Sequence, residues 1–262
     1  MSWPAVGDFS DLSLLFIGAA STAVASMAMA SVSRRLIFKS GNQDADIHSK
    51  LADLVHGSLL AFSVFTLALV LSDVRSNLGK TLDATLREAS TITRLDAELA
   101  DLGTSSSTSA RSALRKYVDT LTGWDWPALG QAKPSLSIEG DHALKALRIE
   151  LRSTSATSTG SAETLNSLLS QLEDERLGRL ESATKSVPNV FWWIIGVFLF
   201  GAMAMNGRYP LDRMNMGLIA LHMSAIGLVL ALILIMDQPF RGETSVPSDP
   251  IANALSGHPL SE

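Results

Sequence analysis

Apolar residues along this chain gather into four blocks, at 12–32, 54–72, 189–205 and 214–236, with polar stretches between them. A globular core needs no such blocks, but a bilayer does. Its hydrocarbon layer is about 30 Å thick, and a helix rising about 1.5 Å per residue needs about 20 apolar residues to cross it. All four blocks are near that length, so the pattern predicts four membrane-spanning helices. The 74–187 stretch is rich in Ser and Thr, and its apolar positions recur at helical spacing. The expected fold is all-α: a polytopic membrane protein with a first helix pair (1–73), a helical extramembrane insert (74–187), a second helix pair (188–237) and an irregular tail (238–262).

The first block has a rival reading as a cleaved signal peptide, with Ala28-Met29-Ala30 as the cleavage site. Such a peptide carries positive charge before its apolar run. Here Asp8 and Asp11 precede the run, and Arg34 and Arg35 follow it. A retained helix that enters with its N-terminus outside fits better. The connector after the first span holds Arg34, Arg35, Lys39 and Lys50, and the short one after the third holds Arg208 and Arg213. Positive charge stays on the cytoplasmic side. Both connectors are therefore expected in the cytoplasm, with both termini and the 74–187 domain outside. In a bacterium this is a multi-pass protein of the inner membrane with a periplasmic domain. Trp192 and Trp193, just after Pro188, suit an interfacial anchor or ordinary lipid-facing bulk.

Within the spans, small residues mark helix contacts, because small side chains let helix backbones approach closely. The first span is dense in them from Gly18 to Ala30, and Gly217, Ala220, Ser224, Gly227 and Ala231 line one face of the fourth. His222 lies on the opposite side of that helix. In the second span His56, Ser63, Thr66 and Asp73 fall within about a third of the circumference, at about 100° per residue. With His222 they are the candidate pathway-lining residues, against the alternatives of helix contact and interfacial solvation. No span has Asp, Glu, Lys or Arg at its centre. That disfavours a pump with buried carboxylates and leaves a passive pore open.

The insert reads as four helices. Leu78, Leu82, Leu86, Ala89, Ile92, Leu95, Leu99 and Leu102 continue the second span as one long amphipathic helix, ended by Gly103 and the 104–109 Ser/Thr run. A second helix turns Leu114, Tyr117, Val118 and Leu121 inward and closes at Gly123, before a turn at Trp124-Asp125-Trp126-Pro127. A third covers 141–153 and a loop follows to 161. The fourth runs from Ala162 to about Lys185 on the line Leu165, Leu168, Leu169, Leu172, Leu180, with Ser161 as N-cap. Glu173-Asp174-Glu175-Arg176 reads as a solvated face.

The absence of Cys removes disulfides and thiolate metal sites. A net charge of -5 and the lack of any basic stripe argue against a nucleic-acid partner. No phosphate loop, dinucleotide, zinc-protease or hydrolase motif occurs, and no two of the five His residues have helical ligand spacing. No catalytic residue, metal or cofactor is expected.

Four places carry a family likeness: His56-Gly57-Ser58-Leu59-Leu60-Ala61-Phe62; Arg87-Glu88-Ala89; Leu114-Arg115-Lys116-Tyr117-Val118 followed by Trp126-Pro127-Ala128-Leu129; and Asp237-Gln238-Pro239-Phe240-Arg241-Gly242. In this order the chain resembles the bestrophin-like family of bacterial membrane proteins. The resemblance implies the arrangement of two spans, helical insert and two spans. By kinship with bestrophins it suggests a homo-oligomeric channel or transport protein for an inorganic ion. It singles out Glu88, Asp237, Pro239, Phe240 and Gly242. Asp237, Pro239 and Gly242 also read simply as a helix stop and turn. The functional alternative sets Asp237 and Glu88 at the outer mouth of a pathway. A non-catalytic scaffold or sensor built on the external domain is the rival to a channel.

Overall fold

The computed structural model describes residues 10–36, 45–157 and 160–256, with the backbone alone at 45–49. Asp8, Lys39, residues 158–159 of the expected 153–161 loop and Pro259 lie outside them, and the rest of that loop up to Thr157 is helical. Among the described residues the chain is helical without strands. Four segments are long and apolar enough to cross a membrane: Asp11–Leu36, Lys50–Leu102, Ala162–Arg208 and Arg213–Met236. The fold is the expected one, a multi-pass helical membrane protein with a helical insert. Contacts divide the chain into two units, Met1–Ser76 with Ser186–Asp237, and Asn77–Lys185 with Gln238–Glu262.

The first unit holds α1 (Asp11–Leu36), the first part of α2 (Ala45–Leu102), α7 (Asn189–Met205) and α8 (Arg213–Met236). Leu67, Val70 and Val74 of α2 pack with Ile195 and Leu199 of α7 and with Ile219, Met223 and Ile226 of α8. The small-residue faces of α1 and α8 meet. A Cβ added at Gly18 would stand 2.7 Å from the Ala231 Cβ and 2.8 Å from the Gly227 carbonyl oxygen. The closeness also lets side chains bond across: Thr22 donates to the Met223 carbonyl at 3.0 Å, and Ser224 to the Ala19 carbonyl at 3.3 Å. Gly217, expected on this face, has no neighbour within 4 Å of an added Cβ. Asn206 in the turn after α7 donates to Ser26 of α1 at 3.1 Å.

In the second unit α2 continues to Leu102, so the predicted long helix is continuous over 58 residues, about 87 Å at 1.5 Å per residue. Gly103, at φ 58, turns the chain. The Ser/Thr run then starts the next helix. Thr104 and Ser107 form a reciprocal capping box on α3 (Ser105–Thr120). A wide π-turn (Leu121–Asp125) leads into α4 (Trp126–Leu129), so the expected turn at 124–127 is helical. α5 (Ile138–Thr157) and α6 (Ala162–Thr184) follow, and α9 (Asp249–Ala252) lies in the tail. Ser161 sits at the N-cap of α6 without a side-chain capping bond.

The core of this unit joins Ile92, Leu95 and Leu99 of α2, Leu114, Tyr117, Val118 and Leu121, Leu147 and Leu151 of α5, Leu165, Leu168 and Leu172 of α6, and Ile251 and Ala254 of the tail. Two sequence readings change here. Leu82 and Leu86 are 39% and 37% exposed, whereas Thr81, Thr85 and Glu88 are buried. Steps of four from Leu78 drift off a helix with about 3.6 residues per turn, so the inner line of α2 is polar at this level. On α6 the inner line runs on from Leu172 to Arg176 and Arg179, both buried, so Arg176 does not belong to a solvated face.

Candidate functional site

The first unit places the predicted polar stripe along α2. Ser63 is fully buried, and its hydroxyl donates to its own helix at the Leu59 carbonyl, 2.8 Å away. Thr66, half-buried, donates likewise to the Phe62 carbonyl at 2.8 Å. These bonds satisfy the hydroxyls inside the helix and leave their oxygen lone pairs as acceptors. His56 is buried at the other end of the stripe, its ring edge-on to Tyr209 with centroids 6.2 Å apart. His222, on exposed surface of α8, lies within electrostatic reach of His56. Beside them Arg208 pairs with Asp53 and stacks on the Tyr209 ring, 4.7 Å from its centroid.

The opposite end is acidic. Asp237 caps α8, its N–H bonding to the Ile233 carbonyl. Its side-chain Oδ1 accepts the Val187 N–H at 2.9 Å, which ties the entry of α7 to the exit of α8. Burial pushes the Asp237 carboxyl up to about 6. The Val187 bond pulls it back, and the charge of Asp73 adds to the rise. The carboxylate that acts on Asp237 in this unit is thus Asp73, from the stripe itself.

Glu88 belongs to the second unit and to a different arrangement. It is fully buried on α2, where Arg179 of α6 meets it twice: Nη2 donates to Oε1 at 3.0 Å, and Nε lies 2.7 Å from Oε2. Arg179 also lies 3.8 Å from Asp125 of the π-turn and 5.1 Å from the centroid of the Trp126 ring. Asp125 accepts from Arg176 Nε at 2.8 Å and from the backbone and hydroxyl of Ser137 at 2.9 and 2.5 Å. Arg176 reaches on to Asp141 of α5 at 2.6 Å.

The backbone is shaped to this network. A Cβ at Gly140 would collide with Arg176 and sit 2.5 Å from the Asp125 carboxylate, so only Gly lets α5 come this close. Burial pushes the Glu88 carboxyl up to about 7; the charge and hydrogen bond of Arg179 pull it down, and Glu175 and Asp125 push it further up. Burial also acts to raise Asp125, but bonds from Arg176 and Ser137 outweigh it and hold that carboxyl below its ordinary value.

The tail motif docks on the same network. Trp126 donates its Nε1 hydrogen to the Val246 carbonyl at 3.0 Å, and its ring meets that of Phe240 edge-on, with centroids 5.4 Å apart. The buried Pro239 offers its carbonyl to the Val246 N–H at 2.8 Å, and Gly242 takes φ 87 to turn the segment. A Cβ at Gly130 would come within 2.7 Å of the Phe240 carbonyl oxygen. Glu88, Tyr117, Trp126 and Phe240, scattered along the sequence, therefore converge on one buried network. Asp125, Arg176 and Arg179 complete it and were not singled out from sequence. Their signal was present: Arg176 and Arg179 continue the 165–168–172 spacing inward. Among the described residues no three His, Asp or Glu side chains gather as a metal site.

A family model described as the Bestrophin-like domain matches residues 19–251, and the chain belongs to this family. No curated protein and no solved structure matches it.

Proposed function

We propose that this protein conducts ions across a bacterial inner membrane as an assembly of identical copies, with the polar stripe of α2 bordering the path. One observation carries the reading. A single helix runs through the membrane unit with His56, Ser63, Thr66 and Asp73 on one side, imidazoles at one end and the Asp73–Asp237 carboxylates at the other. Ionisable groups are costly at membrane depth and default to a functional role. Within one copy Ser63 is covered, Thr66 is half-buried and Asp73 is exposed, which favours a path between copies along the Thr66–Asp73 edge. Carboxylates at the mouth favour cations. In this reading the two connectors face the cytoplasm, and both termini and the second unit lie in the periplasm.

Cysteine scanning tests the path, on a chain that has no Cys of its own. In lipid, a water-soluble thiol reagent should modify cysteines at Thr66 and Asp73, and leave those at Phe65 and Leu69 unmodified. Equal protection of all four would sink the proposal.

A scaffold or sensor role is favoured by a separate observation. The buried network of the second unit joins α2, α6 and the tail, three segments that each lead by a short stretch of sequence into a membrane span. Loss of partner binding on deleting 104–160, with insertion intact, would support that role.

A further inference from the structure

Arg179 stands between two carboxylates of different elements. It grips Glu88 on α2 at 2.7 and 3.0 Å, while Asp125 on the π-turn waits at 3.8 Å beside the Trp126 ring. One guanidinium with two acceptors and an aromatic face is a two-position element, because Arg keeps its charge whatever its neighbours do. Only the carboxylates can change charge. Asp125 is fixed by Arg176 and Ser137, with four contacts of 2.5–3.2 Å to its oxygens from those residues. Glu88 has Arg179 as its hydrogen-bonding partner, so protonation there removes the main reason for Arg179 to stay on α2.

We propose that the Glu88–Arg179 pair is a proton-operated switch: when Glu88 takes up a proton, Arg179 transfers its contact from α2 to Asp125 and the Trp126 face, changing the seat on which the tail motif rests. The groups facing Glu88 are Arg179 and Glu175 of α6, Asp125 of the π-turn and Tyr117 of α3. The tail brings only the uncharged Phe240 ring and Val246 carbonyl to Trp126. Tyr117 stays protonated, since burial pushes its hydroxyl well up, with Glu88 adding to the rise. Burial sets Glu88 to titrate at about 7, within the range a periplasmic surface meets.

The test uses the full chain in lipid nanodiscs, with Trp126 as the sole tryptophan after the other four are replaced by Phe. Trp126 emission should shift with a midpoint near pH 7. Glu88→Gln should abolish the shift. Glu175→Gln, at a partly exposed position that pairs with surface Arg87, should move the midpoint down by removing a charge that raises it. No transition between pH 5 and 8, or the same transition in Glu88→Gln, overturns the switch. If Glu88→Gln does not fold, Glu175→Gln decides, and an unmoved midpoint overturns it. Control of conduction by this switch rests on the reading above. A Glu88-dependent transition in a protein without flux overturns conduction and leaves the switch standing.

Discussion

Removing Glu88 alone should be far more damaging than removing it together with Arg179. Both side chains are fully buried and meet at 2.7 and 3.0 Å. In Glu88→Leu the guanidinium stays charged inside the domain, with Asp125 at 3.8 Å as its nearest remaining counter-charge. Stranding one member of a buried pair costs about 3–5 kcal/mol, and a shift of Arg179 towards Asp125 offsets part of that. Arg179→Met should cost less, because the stranded Glu88 can neutralise itself by taking up a proton, whereas Arg cannot. The double variant leaves no stranded charge, and apolar replacement of a buried pair ranges from neutral to about 1–4 kcal/mol stabilising. The double-mutant cycle should therefore show a coupling of at least about 2 kcal/mol. The assay is equilibrium unfolding of the full chain in mild detergent, followed by helical circular dichroism at pH 8. Additive single effects, or a Glu88→Leu cost under about 1 kcal/mol, would refute the view that this pair is electrostatically closed.

Gly227→Leu should destabilise the first unit by about 1–3 kcal/mol, since its Cβ would collide with Thr22 and the Gly18 carbonyl. Gly217→Leu, with nothing within 4 Å, should leave thermal unfolding unchanged. Asp125 is held below its ordinary value, so its contribution is present above about pH 4 and lost as pH falls through the lowered value. Asp125→Asn should remove that acid dependence while lowering stability at neutral pH, read by unfolding from pH 2 to 8. Cysteines at Lys50 and Arg213 should resist a membrane-impermeant reagent added to spheroplasts, and one at Ser112 should react; the reverse pattern would invert the topology.

The four spans were legible because the bilayer imposes a length on apolar runs that no other part of the chain approaches. The α1–α8 contact was legible in part. Gly227, Ser224 and Ala231 meet α1, whereas Gly217 does not, because spacing shows which residues share a face and not where along it the neighbouring helix packs. In the second unit the inward set of α3 could be read from its leucines. The inner line of α2 could not, since Leu78, Leu82 and Leu86 suggest one face while the helix turns Thr81, Thr85 and Glu88 inward. A buried carboxylate makes sense only beside its cation, and Arg179 lies 91 residues away in sequence. The spacing that set Arg176 and Arg179 on the core line of α6 was visible, but a charged residue at an inward position reads as solvated until its partners are known. The Asp237-to-Gly242 motif ended α8 as expected. Its docking on Trp126 follows from Phe240 and Val246, which carry no local signature of a partner.

Ion flux into liposomes holding the purified protein, driven first by a cation gradient and then by an anion gradient, decides whether the protein conducts along α2. Flux above that of protein-free liposomes is expected, larger for cations, and lowered by Thr66→Leu and by Asp237→Asn. Folded, inserted protein that passes neither ion, or passes both unchanged in these variants, would contradict conduction along α2.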